Sequence, residues 1–120
     1  DGDYTAFDNP YAEHPEQMQQ GIFTRGEIKD GVLTIEASFE QWDEGWTNQT
    51  LYPYATRRLK VSDNIVIQHS GGMGKPQKDT IDGFNEWYAD VNAPNHMNYW
   101  GLGITIRIEN GEVTLIDISS

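Results

Sequence analysis

The sequence predicts a small, mainly β protein: a five-stranded barrel with one short helix between its third and fourth strands. Three observations predict it. Gly103–Glu109 and Glu112–Ile118 alternate apolar and polar residues around Asn110-Gly111, a pair that tolerates the positive φ angles of a type I′ turn. The same design occurs earlier, where Ile22–Ile28 leads through Asp30-Gly31 into Val32–Phe39. Between the two hairpins stand one long extended run and one amphipathic stretch.

The elements follow in order. Residues 1–20 hold five acids, two prolines and no Lys or Arg, and show little periodicity. That composition is the makeup of a solvated linker, so 1–20 reads as an acidic tether and 21–120 as the folded domain. Strands one and two form the Asp30-Gly31 hairpin. The stretch Gln41–Pro53, polar and aromatic with Gly45 and Asn48, reads as a long loop. Strand three runs over Tyr54–Gln68 with Leu59, Val61, Ile65 and Ile67 as its apolar side, and Ser62-Asp63-Asn64 bends it. After the glycine-rich Ser70–Pro76, Asp79 is placed to cap a helix reaching Asp90, with Ile81, Phe84, Trp87 and Tyr88 on one face. Gly83 costs that helix about 1 kcal/mol relative to Ala. Asn92–Asn95 ends it, and the second hairpin closes the chain.

Five strands with a helix between the third and fourth is the order of an OB-fold barrel. The segments Gly26–Ile35, Leu59–Ile67 and the final hairpin resemble those of small extracytoplasmic bacterial OB-like domains, a loose group that often follows a lipoprotein signal and mostly lacks assigned function. The resemblance covers about residues 21–120 and rests on turn and strand chemistry. It implies a location outside the cytoplasm, secreted or lipid-anchored at the cell surface. The aromatic insertions at 42–54 and 87–100 exceed what such a barrel needs.

Composition narrows the function. The chain is long enough for one domain with its own core. Nineteen acids against eight bases give a net charge of −11, which repels nucleic acid and anionic lipid at long range. Arg57-Arg58-x-Lys60 is the only basic cluster. There is no cysteine, hence no disulfide and no thiolate chemistry. No apolar run is long enough to span a bilayer, which argues against direct membrane insertion. The chain opens on Asp rather than Met, and the expectation is a processed or trimmed protein.

No motif points to catalysis, a metal or a cofactor. Gly71–Lys75 fails as a phosphate loop because His69 stands where the first glycine belongs and Pro76 replaces Ser/Thr. His14, His69 and His96 lack metal-ligand spacing. Ser38, Ser62 and Ser70 lack a nucleophile elbow. The aromatic residues are the functional lead: Trp42, Trp46, Tyr52 and Tyr54 around one loop, Tyr99 and Trp100 after the helix. Flat, rigid rings with polar edges suit sugar faces and protein partners. These residues are the expected ligand contacts of a monomeric, non-catalytic binding domain for a glycan or protein. Two alternatives stand beside it: a ligandless spacer of a cell-surface protein, and a hydrolase using the carboxylates Glu40, Asp43 and Glu44.

Overall fold

The computed structural model describes residues 2–9, 12–71, 75–90 and 102–119. The strands are β1 (Gly2–Asp8), β2 (Ile22–Lys29), β3 (Val32–Trp42), β4 (Gln49–Ser70), β5 (Gln77–Asp79), β6 (Gly103–Glu109) and β7 (Glu112–Ser119), with helix α1 (Ile81–Tyr88) between β5 and β6. The protein is mainly β, as expected, but its one sheet has seven strands rather than five, in the order β2-β3-β1-β6-β7-β4-β5. β3 pairs with β4 as well as with β1, so the path β3-β1-β6-β7-β4-β3 closes on itself.

Both predicted hairpins form with two-residue turns. Asp30 and Gly31 stand at φ 54° and 75°, Asn110 and Gly111 at 54° and 78°. Lys29 therefore pairs with Val32, and Glu109 with Glu112. The left-handed pair turns the chain with the twist the strands already have. The bend expected at Ser62-Asp63-Asn64 is also present, because the parallel β4–β7 register jumps between Val61↔Val113 and Val66↔Leu115. At the bend, Asn64 N donates to Ser62 Oγ at 3.2 Å.

Four expectations need correction. Residues 2–8 are not linker: β1 pairs antiparallel with β6 from Gly2↔Ile108 to Phe7↔Gly103, meets β3 at Thr5↔Glu40, and runs parallel to β2 at Phe7↔Ile22. Its alternation breaks at the end, since Tyr4 and Ala6 face the core as apolar residues should, but Asp8 is buried there while Phe7 is 52% exposed. The long loop over Gln41–Pro53 contracts to a turn, because β3 runs on to Trp42 and β4 already starts at Gln49. The cap of α1 is Thr80, whose Oγ1 accepts from Gly83 N at 3.0 Å, while Asp79 Oδ1 accepts from Thr80 N at 2.7 Å. Ile81 is exposed, because the helix buries only Phe84 and Tyr88 fully, with Trp87 packed partly against the core.

The core collects Leu33, Ile35, Ala37 and Phe39 from β3, Ile104 and Ile106 from β6, and Val113, Ile116 and Ile118 from β7. Helix α1 covers it at the β2 side, where Tyr88 meets Phe23 edge-to-face at 5.7 Å and Phe84 at 5.2 Å. Asn85 fixes the helix by bonding both backbone groups of Ile28: Oδ1 accepts from its N at 2.7 Å and Nδ2 donates to its O at 2.8 Å. An edge strand left open invites foreign pairing, and this side chain occupies the groups that would do it. Arg25 Nε donates to Ala89 O just past the helix, a cation where the helix dipole is negative.

Candidate binding site

The site grows from the β3–β4 turn. Asp43 organises it: Oδ1 accepts from Thr47 N at 2.8 Å, and Oδ2 accepts from Thr47 Oγ1 at 2.8 Å, Asn48 N at 3.2 Å and Asn48 Nδ2 at 3.0 Å. The backbone closes across it, with Asp43 N donating to Asn48 O at 3.0 Å and Trp46 N to Asp43 O at 3.1 Å. Hydrogen bonds from the Thr47 backbone and hydroxyl favour the ionised carboxylate and lower the Asp43 pKa from 3.8 to about 2.

This turn forces Trp46 into the left-handed region at φ 56°. For an L-residue with a bulky side chain that conformation costs about 1–2 kcal/mol, and glycine would be its natural occupant. The Trp46 ring is nonetheless 73% exposed. It lies beside Trp42, itself 41% exposed, with ring centroids 5.9 Å apart and planes 35° from parallel. Both tryptophans line an open groove of about 510 Å³, together with Glu40, Asp43 and Glu44 from the hairpin and Asp3, Thr5 and Thr105 from β1 and β6. Asp3 is held in place by Arg107, whose Nε and Nη2 donate to its two oxygens at 2.9 and 3.2 Å.

The fold brings together only part of the expected aromatic set. Trp42 and Trp46 share one platform. Tyr52 leaves it: its hydroxyl donates to Gln41 Oε1 at 2.9 Å, and its ring packs edge-on against Tyr4 at 5.4 Å. Tyr54 turns toward β2, its hydroxyl 2.7 Å from Thr24 Oγ1. A register shift between Ala37/Phe39, opposite Ala55/Tyr52, separates the two tyrosines. Tyr99 and Trp100, like His96, lie outside the described residues. The β1 wall of the groove was missed because an acidic terminus with a charged inward position does not read as a strand.

Asp43 is held as a turn-forming carboxylate. A general acid needs a raised pKa, whereas that of Asp43 is lowered and its oxygens are committed to the turn. Glu40 Oε1 accepts from Gln49 Nε2. His69 Nε2 lies 2.8 Å from Asp79 Oδ2, but the serines bond elsewhere: Ser70 Oγ donates to Asp117 Oδ2 at 2.9 Å, and Ser38 Oγ accepts from Ile22 N at 2.9 Å. Among the described residues, no group of three His, Asp or Glu side chains is placed to hold a metal ion, and no helix is long and apolar enough to cross a membrane.

Comparison with protein-family models, curated sequences and solved structures returns no match.

Proposed function

We propose that this protein is a non-catalytic binding domain that lays a glycan across the Trp42–Trp46 platform. The observation that carries the reading is the state of Trp46: strained at φ 56°, 73% exposed, and beside Trp42 with the two rings tilted 35° from parallel. Strain at an exposed aromatic is retained where the ring has work to do beyond the fold. The C–H face of a sugar matches the paired rings, and its hydroxyls can donate to Glu40, Glu44 and Asp3 along the groove. An aromatic-lined concavity also counts against a ligandless spacer.

The architecture proposed for this surface is OB-like. Strands β2, β3, β4, β6 and β7 follow the OB order, with α1 before β6, a parallel β4–β7 pair and a closed pairing path. β1 is then an addition inserted between β3 and β6. The turns joining β2 to β3 and β6 to β7 are two residues long and supply no groove walls, so the ligand surface moves to the β3–β4 hairpin. An extracytoplasmic setting, implied by the resemblance noted above, places the domain where glycans are encountered.

The carboxylates around the groove favour a second reading, a basic protein segment held by charge. Salt separates the two, since contacts between exposed charges weaken as ionic strength rises and ring–sugar stacking does not. The direct test is Trp46→Gly on a glycan array, with any hit quantified by calorimetry. Relief of the left-handed strain leaves the melting temperature unchanged or higher, while binding falls at least about ten-fold, as expected for loss of a central aromatic contact. Retained binding, or a melting temperature lowered by the loss of the ring, sinks the proposal.

A further inference from the structure

A second concavity lies between β1, β3, β4 and β6, away from the tryptophan groove. It is an open cavity of about 190 Å³ lined by Tyr4, Phe39, Tyr52, Leu59, Ile106 and Ile108, and one cation, Arg57, stands in its wall. The position of that arginine is anomalous. Arg57 pairs with Ile35 and its neighbour Leu59 with Leu33, so Arg57 projects on the face where Ile35 and Leu33 are fully buried. Strand alternation calls for an apolar residue there.

Among the described residues, no carboxylate forms an ion pair with it. Nη2 donates to Pro53 O, which leaves Nε buried without an acceptor among the described residues. The Arg and Lys ion pairs among those residues use Arg25, Lys60 and Arg107, not Arg57. Among the described residues no acid pairs with the half-buried Arg57 guanidinium, which stands in an apolar wall with hydrogen-bonding capacity to spare.

We infer that this cavity binds a small aryl or alkyl monocarboxylate, its hydrocarbon body between the tyrosines and isoleucines and its carboxylate on Arg57. The volume sets the size, since an apolar cavity of about 150 Å³ accommodates benzene. At about 190 Å³ the cavity holds a phenyl-sized body with little to spare. The guanidinium fork matches a carboxylate in geometry and charge. A neutral hydrocarbon leaves Arg57 as it is, and a dianion such as phosphate is disfavoured more than a monoanion by the net charge of −11. The site is independent of the glycan platform, and either can fail without the other.

The experiment is an NMR titration of the 120-residue chain with phenylacetate and, separately, with 2-phenylethanol, which has a similar body and no charge. Phenylacetate shifts the methyl signals of Leu59, Ile106 and Ile108 saturably and binds at least about ten-fold tighter than the alcohol. Arg57→Gln brings the two affinities within about two-fold by weakening the acid alone, and Arg57→Lys falls between because it keeps charge without the fork. Trp46→Gly leaves phenylacetate binding unchanged. Equal affinity for acid and alcohol on the unaltered protein, shifts that map elsewhere, or no saturation up to about 20 mM overturns the inference. The comparison on the unaltered protein decides the question even where an Arg57 variant does not fold.

Discussion

Gly83→Ala reverses the effect that helix propensity assigns to it. In an isolated helix this change stabilises by about 1 kcal/mol. Here an ideal Cβ on residue 83 would lie 2.1 Å from Asp79 Oδ1 and 2.8 Å from its Cγ, so the carboxylate has to move. Moving it breaks its bonds to Thr80 N at 2.7 Å and to His69 Nε2 at 2.8 Å. The His69 and Asp79 side chains are 32% and 23% exposed, so each bond is discounted for solvent to about 1–1.5 kcal/mol. Loss of about 2–3 kcal/mol against a gain of about 1 gives a net destabilisation of about 1–2 kcal/mol. In an Asp79→Ala background the obstruction is gone, and Gly83→Ala should stabilise by about 1 kcal/mol. Urea unfolding of the four proteins, followed by far-UV circular dichroism, measures a coupling of about 2–3 kcal/mol with a change of sign. Stabilisation by Gly83→Ala in both backgrounds would refute the close-approach argument.

Three further predictions concern other parts of the molecule. The lowered pKa of Asp43 means that its contribution to the β3–β4 turn is complete above the unfolded value of 3.8 and is lost as pH falls toward about 2. Tryptophan fluorescence should report an acid transition in that window, and Asp43→Asn should remove it; a transition unchanged in the variant contradicts the assignment. Deleting residues 1–8 should abolish cooperative thermal unfolding, because it breaks the pairing path between β3 and β6 and uncovers Ile104 and Ile106, whereas a native-like melt would return the segment to linker status. The Tyr88 phenol is pushed well above its ordinary 10 by burial, with Asp8 and Asp79 adding to the effect. Its ionisation therefore favours the unfolded chain: stability from the neutral phenol is present below about pH 10 and is lost as pH rises beyond it. Tyr88→Phe should lose less stability than the parent between about pH 9 and 11, measured by urea midpoints, and equal losses would count against this account.

Much of the fold was legible because it is written in local chemistry. Asp30-Gly31 and Asn110-Gly111 specify their turns through φ alone, and the flanking alternation fixes which face of each hairpin is buried. Phe84 and Tyr88 mark the helix by their spacing, and Ser62-Asp63-Asn64 marks the bend in β4. The tryptophan platform was half legible. Trp42 and Trp46 stand out by residue type, but sequence distance cannot say that Tyr52 and Tyr54 part company across a register shift in the same hairpin.

The N-terminal strand shows most clearly where sequence reading stops. Phe7 points outward and Asp8 inward, which breaks the alternation begun by Tyr4 and Ala6, and pairing with β6 and β3 makes Gly2–Asp8 a strand. Arg57 inverts the same rule on β4. The mainly β class, the two turns and the helix rest on neighbours in the chain, and the acidic character on composition alone. The number of strands, the closed pairing path, the groove wall supplied by β1 and the setting of Arg57 arise only when the chain folds. Those depend on contacts between residues as much as a hundred positions apart, such as Asp3 with Arg107, and no local preference encodes them.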